Sequence, residues 1–205
     1  MQVVLLGGGG HCKACIDVIE SEGAKIAGFL APHASDNIGD YCRLGDDSWL
    51  NNPDAALYSY LLAFGQTQIS PARETLFIQL KDKQLKLHTS ISPQALVSPK
   101  ANVLSGSIIM HKAVVNAYAQ IGENCIVNTS SVIEHDVILG SHTIISPGAI
   151  LNGNVTIGGG SIVGSGAIVL PGINIAPNTI IGAGAVVTKD ITSAGTWVGI
   201  PARRT

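Results

Sequence analysis

From Ile91 to Val187 every sixth residue is aliphatic, 17 in succession with no slip of phase. A helix repeats every 3.6 residues and a strand every two, so neither produces an unbroken period of six. The fourth residue after each aliphatic one is mostly small, as at Ala95, Ala101, Ser107, Ala113, Ala119, Cys125 and Ser131. This pattern predicts a solenoid. Each hexad forms one flat side and a corner of a triangular prism, with its aliphatic side chain on the axis and its small residue in the corner. Three hexads close a turn, so the run gives between five and six coils, stacked about 4.8 Å apart by parallel hydrogen bonding. Gly and Asn crowd the expected corners, as in Gly122-Glu123-Asn124, Gly153-Asn154 and Gly182-Ala183-Gly184, where sharp turns demand positive φ. Periodicity leaves the hand of the coil open.

The hexads begin near residue 90 of 205, which predicts two domains, 1–89 and 90–205. Net charge is −2 and charged residues make up 13%, so there is no basic field for nucleic acid. Mean hydropathy is +0.35, yet no apolar run approaches the ~20 residues of a spanning helix. The axis positions account for the hydrophobicity. Met1-Gln2-Val3-Val4-Leu5-Leu6 runs straight into a Gly-rich loop without a basic leader or cleavage site, which predicts a cytoplasmic protein. Four cysteines are too few for a disulfide framework. Cys12-Lys13-Ala14-Cys15 has redox spacing, but two small residues packing a helix onto a sheet is the favoured account.

Residues 2–6 read as a buried strand, 7–11 as a loop, 12–21 as a helix and 25–30 as a second strand. This βαβ unit extends through a strand at 58–64, a helix at 71–80 and a strand at 85–88 into a small Rossmann-like α/β domain. Cys12 stands at the last glycine position of a G-x-G-x-x-G, which disfavours a dinucleotide. Glycines between a strand and a helix N-terminus still offer backbone N–H groups to a phosphate.

Three segments carry a resemblance. Asn128-Thr129-Ser130-Ser131-Val132-Ile133-Glu134-His135-Asp136 is similar to the active-site segment of the PglD/NeuD group of sugar acetyltransferases, within the left-handed β-helix acyltransferases. Val198-Gly199-Ile200-Pro201-Ala202-Arg203-Arg204 resembles their closing segment near coenzyme A, and Gly7-Gly8-Gly9-Gly10-His11 their N-terminal loop. The resemblance spans essentially the whole chain. It implies an α/β Rossmann-like domain followed by an all-β left-handed parallel β-helix, acetyl-CoA as co-substrate with no metal, and a homotrimer. It also implies N-acetylation of a UDP-linked 4-amino-sugar (4-amino-4,6-dideoxy-N-acetyl-hexosamine type) for surface glycan synthesis. O-acetylation of sialic acid or a related sugar is the alternative.

Acetyl transfer from a thioester needs a base, a group to orient it and donors for the oxyanion. By resemblance His135 is the base, Asp136 its orienting partner and Asn128 an acceptor-side contact, while Gly8, Gly9, Gly10 and His11 contact the nucleotide-sugar. For coenzyme A, Gly148, Gly164 and Gly166 are expected to leave backbone amides open to the pantetheine arm, and Lys189, Arg203 and Arg204 to meet phosphates. The competing account of Arg203 and Arg204 is a disordered basic tail. Two departures stand out: Ala31-Pro32 replaces paired acidic residues that read uracil in some relatives, and Ile144 occupies the usual second-histidine position while His142 lies two residues earlier. His111 shares the hexad position of His135 but has nothing around it that marks a site. A zinc hydratase built on the same solenoid would need three converging histidines, and an ice-binding solenoid a Thr-x-Thr row that is absent here.

Overall fold

The computed structural model describes residues 1–32 and 37–205. Strand β1 (Gln2–Leu6) is apolar from Val3 onward and buried on both faces, as suits the centre of a parallel sheet. It is followed by α1 (Gly10–Ser21), β2 (Ile26–Leu30), a short β3 (Asn37–Ile38) and β4 (Tyr41–Gly45). Two 3₁₀ turns lead to β5 (Tyr58–Leu62), α2 (Ala72–Asp82) and β6 (Lys86–Leu87). The sheet order is β3-β4-β2-β1-β5-β6, parallel except for β3 against β4. The α/β expectation holds, with α1 starting two residues before the expected 12 and β5 ending at Leu62 rather than 64. The β3–β4 hairpin was not expected; its signal is slight, a Gly39-Asp40 turn beside a strand of only two residues.

The hexads form a parallel β-helix in which residue n pairs with n+18. Its first face carries Ile108–Ile109, Ile126–Val127 and Ile144–Ile145 among others, the second Val114–Val115, Val132–Ile133 and Ile150–Leu151, and the third Gln120–Ile121, Ile138–Leu139 and Thr156–Ile157. The aliphatic residue of each pair fills one continuous core. Every sixth residue from Gly106 through Gly184 has φ between 54° and 74°, including Asn124, Asp136, His142 and Asn154. The corners therefore turn through the left-handed region, as the Gly and Asn positions predicted.

The small position differs from edge to edge. Between the first and second faces it is Ala95, Ala113, Ser131, Ala149, Ala167 and Ala185; between third and first it is Ser107, Cys125, Thr143, Ser161 and Thr179. On the edge between second and third faces, Val137, Val155, Ile173 and Ile191 depart from the small-residue expectation and bury their larger side chains in the core.

The outward residues of the faces differ too. Ile108, Ile126, Ile144 and Ile162 on the first face are buried beneath α1, against Cys12, Cys15, Ile16 and Ile19. Glu22 at the end of α1 accepts from Ser90 Oγ (3.0 Å) and Ile91 N (3.1 Å) and lies 2.8 Å from His88 Nε2. The third face is mostly polar, with Asn102, Gln120, Thr156 and Asn174. The second presents Leu96, Val114, Val132, Ile150, Ile168 and Val186, an aliphatic column that no element among the described residues covers. At the far end, Gly195–Val198 joins the first face and pairs antiparallel with Arg203–Arg204.

Candidate active site

His135 occupies the edge between the second and third faces. Its Nδ1 lies 2.8 Å from Asp136 Oδ2, which favours the tautomer with the proton on Nδ1 and leaves Nε2 as the acceptor. Glu134, the other flanking acid, is engaged instead by Asn116 Nδ2 at 2.8 Å from the coil before. Asp136 reaches the imidazole because its own φ is 61°. The ring remains 63% exposed and lies over Gly153, one coil onward. A Cβ at Gly153 would stand 2.6 Å from both Cε1 and Nε2. Only glycine leaves room for this imidazole, a requirement that becomes visible only when the 18-residue coil offset is known.

The other two solenoid histidines lie on the other two edges. His111, between the first and second faces, bridges Ser92 Oγ (2.6 Å) and Asp17 Oδ2 (2.9 Å), and ties α1 to the coil. The order Ser–His–Asp suggests a nucleophile, but Ser92 is 1% exposed and inaccessible to substrate. His142, between the third and first faces, accepts from Asn124 Nδ2 at 2.9 Å and meets the Phe77 ring edge-on. Burial lowers its pKa despite Glu74 3.9 Å away. Three histidines on three edges do not converge on one ion within a protomer, and among the described residues no group of three or more His, Cys, Asp or Glu is placed to hold a metal.

Asn128 sits across the second face from His135, on the edge with His111. Its Oδ1 accepts from Thr129 N at 2.8 Å, and its side-chain amide has no hydrogen-bond partner among the described residues. The same edge carries Gly148, Gly164 and Gly166, and here the sequence expectation needs correction. Their amides are not open: Gly148 N donates to Thr129 O (3.0 Å), Gly164 N to Ile181 O (2.7 Å) and Gly166 N to Pro147 O (3.0 Å). Solenoid stacking consumes these donors, since each coil bonds to the coils before and after it. Gly164 is glycine for packing, because a Cβ would lie 2.5 Å from Ala183 N; Gly148 and Gly166 leave open surface. Lys189 and Arg203 do come together, in a 220 Å³ cavity with Thr188 and Trp197. Arg203–Arg204 is an ordered strand rather than a tail.

The α/β domain holds a 490 Å³ cavity at the carboxyl ends of β1, β2 and β5, where strand order reverses and open α/β sheets bind ligands. Gly7, Gly8, Ala31, Pro32, Asp47, Phe64 and Thr75 are among its lining. Gly7 has φ 135° and its Cα passes so close to Ala63 that a Cβ would fall 2.8 Å from that carbonyl oxygen. Gly9 caps α1 and Gly10 begins it, both facing open space. His11 is not among the lining residues: its ring turns inward, Nε2 has no partner among the described residues, and burial with the nearby Arg73 charge lowers its pKa to about 4. Arg73, which no sequence signal marked, is fully buried and donates through Nη1 to Leu62 O (2.9 Å) and Phe64 O (2.6 Å), fixing the end of β5 at the cavity. Cys12 and Cys15 are free thiols buried between α1 and the solenoid, with pKa values raised to about 12 by desolvation, which favours packing over redox chemistry.

A prism with an oriented, exposed histidine, joined to a nucleotide-type α/β cavity, defines an acyltransferase of the solenoid class. Residues 2–77 match the PglD N-terminal domain model, and 118–153 the model of bacterial transferase hexapeptide (six repeats). The acetyltransferase domain of PglB from Neisseria gonorrhoeae is 30% identical over 100% of this chain and 99% of its own, with a TM-score of 0.95; it is also solved with acetyl coenzyme A. A histidine-to-asparagine mutant of perosamine N-acetyltransferase from Caulobacter crescentus, in complex with CoA and GDP-perosamine, is 31% identical over 100% of this chain and 97% of its own, with a TM-score of 0.95. WeeI from Acinetobacter baumannii shares the fold at 23% identity over 100% of both chains, with a TM-score of 0.90. No protein with a curated description matches the sequence. The chain belongs to the acetyl-CoA-dependent sugar N-acetyltransferases that join a PglD-type N-terminal domain to a hexapeptide β-helix.

Proposed function

We propose that the protein N-acetylates a nucleotide-linked 4-amino-sugar in surface glycan synthesis. Residues 1–89 hold the nucleotide and 90–205 carry out the transfer. The observation that carries this is the His135–Asp136 pair, 2.8 Å apart and exposed over Gly153. His135 Nε2 takes a proton from the acceptor ammonium or from the attacking nitrogen. The amine adds to the thioester carbonyl, and the tetrahedral intermediate collapses with coenzyme A thiolate as leaving group. Asp136 stabilises the imidazolium formed on the way. Asn128 contacts the acceptor, and Lys189 and Arg203 meet the phosphates of acetyl-CoA. The relative solved with GDP-perosamine supports a nucleotide-linked amino-sugar; the UDP-linked sugar implied by resemblance is one member of that class.

The working assembly is a homotrimer. The bare aliphatic column of the second face lies between the Asn128 edge and the His135 edge, so packing copies through that face sets His135 of one protomer beside the Asn128 edge of the next. The first face is unavailable because α1 covers it. The setting is the cytoplasm, where both substrates are made; among the described residues no helix is long and apolar enough to cross a membrane. The test is release of free coenzyme A thiol against a panel of nucleotide-linked amino-sugars and their hydroxyl analogues. Turnover with amines supports the proposal, and turnover confined to hydroxyl acceptors establishes O-acetylation instead.

A further inference from the structure

The α/β cavity has one charged side chain among its described lining residues, Asp47, and the rest of the wall is dominated by Leu6, Leu30, Pro32, Phe64 and Leu76. Asp46 and Asp47 are adjacent but differ in use. Asp46 caps the 3₁₀ turn Asp47–Asn51, its Oδ1 accepting from Ser48 N at 2.9 Å. Asp47 has no hydrogen-bond or ion-pair partner among the described residues, and its half-buried carboxylate carries a raised pKa from desolvation and from Asp46. The nearby cation does not answer it: Arg43 donates through Nε to Ala31 O (2.7 Å) and through Nη2 to Pro32 O (3.4 Å), fixing the rim of the cavity. A carboxylate half-withdrawn from water and left without a protein partner gains most from N–H or O–H donors brought by a ligand.

Resting on the nucleotide-acceptor proposal above, we propose that Asp47 reads the nucleobase and makes this cavity selective for guanine. Its position favours base over ribose. Asp47 follows β4, two strands out from β1, and two strand spacings are about 10 Å. With the diphosphate at the glycine loop that ends β1, the ribose covers the first of these spacings and the base the second. Among the common bases guanine alone presents two adjacent donors, N1–H and the 2-amino group, that match the two carboxylate oxygens in a charge-assisted bidentate pair. Uracil offers one N–H between two carbonyl oxygens, and adenine sets a ring-nitrogen lone pair beside its amine; either would turn an acceptor toward the second carboxylate oxygen. This choice replaces the uridine nucleotide expected by resemblance, and it accounts for a cavity that has Ala31-Pro32 where some relatives carry an acidic pair.

The experiment is calorimetric titration of the full-length protein with GDP, inosine diphosphate (IDP), UDP, ADP and xanthosine diphosphate (XDP), for wild type and Asp47→Asn, with acetyl-CoA as a control. GDP is expected to bind wild type roughly 10- to 100-fold more tightly than IDP, which lacks only the 2-amino group, and more tightly than UDP or ADP by at least as much. Asp47→Asn should weaken GDP to the level of IDP and strengthen XDP, whose C2 carbonyl can accept from the new amide; this gain distinguishes a changed specificity from a damaged fold. UDP or ADP binding wild type as tightly as GDP would overturn the proposal, as would equal affinity for GDP and IDP. A uniform loss of every nucleotide in Asp47→Asn would assign the carboxylate to the ribose and overturn it equally. If no nucleotide binds while acetyl-CoA does, the acceptor proposal falls together with this one; selective failure among nucleotides leaves that proposal standing.

Discussion

His135 and His142 stand on successive corners of one coil, seven residues apart, and the two edges have been put to opposite uses. The His135 edge faces solvent, with glycine beneath the ring and one carboxylate against Nδ1. The His142 edge lies under α2, where Phe77 meets the imidazole edge-on, Asn124 donates to its Nδ1, and Lys81 pairs with Glu123 at 2.9 Å. Burial depresses the basicity of His142, so at neutral pH it packs as an uncharged ring. The corner geometry is the same in both cases. What separates the exposed histidine proposed as the base from the buried one is the layer laid over the corner.

The largest effect expected from this contrast is on catalysis. His135→Ala should lower kcat by about 10²–10⁴ with modest change in KM, whereas His142→Ala should leave kcat within a few-fold. With an amine acceptor, part of the His135→Ala deficit should return as pH rises from 6.5 to 9.5, because solvent then supplies free amine; a flat profile would mean a hydroxyl acceptor. Near wild-type turnover in His135→Ala at pH 7 would end the comparison. Gly153→Ala comes next: its Cβ would displace the imidazole, and a shift of about 1 Å costs on the order of 10² in kcat. An unchanged kcat with normal thermal stability would show that the ring need not lie where it does.

Smaller effects should appear as stability. His142→Ala removes a hydrogen bond and a ring contact at the interface with α2, and should cost about 1–3 kcal/mol in denaturant unfolding. His135→Ala, exposed and bonded to one neighbour, should cost less than that. The third histidine that matters is His11, held neutral with pKa lowered from 6.5 to about 4. The unfolded chain takes up a proton below pH 6.5 and the folded one does not, so stability is full above 6.5 and falls as pH drops toward 4, by up to about 3 kcal/mol. His11→Gln should flatten that part of the profile, and an unaltered profile would show that His11 titrates normally.

The solenoid was legible because its signal is redundant: many axis residues repeat one requirement, and the Gly and Asn corners repeat another. His135 and Asp136 were legible because they are neighbours in sequence. What escaped depends on partners distant in the chain. Gly153 matters only through the ring 18 residues before it, and the glycine amides at 148, 164 and 166 looked free because the coils that consume them cannot be seen in a hexad. Arg73 and the inward turn of His11 belong to the junction between α2 and β5, where periodicity says nothing. The 18-residue differentiation of the edges was present in the sequence, but it appears only when the hexads are sorted by threes.

The uncovered column on the second face has a consequence for how the enzyme behaves in dilute solution. Because His135 and Asn128 flank that column from opposite sides, a lone subunit in the proposed assembly owns both groups yet completes no reaction centre. Turnover per subunit then follows mass action, rising steeply with protein concentration near the dissociation constant of the oligomer and levelling off above it. Assays run at trace enzyme would understate kcat, and preincubation at higher concentration before dilution would produce a rate that decays with the lifetime of the oligomer.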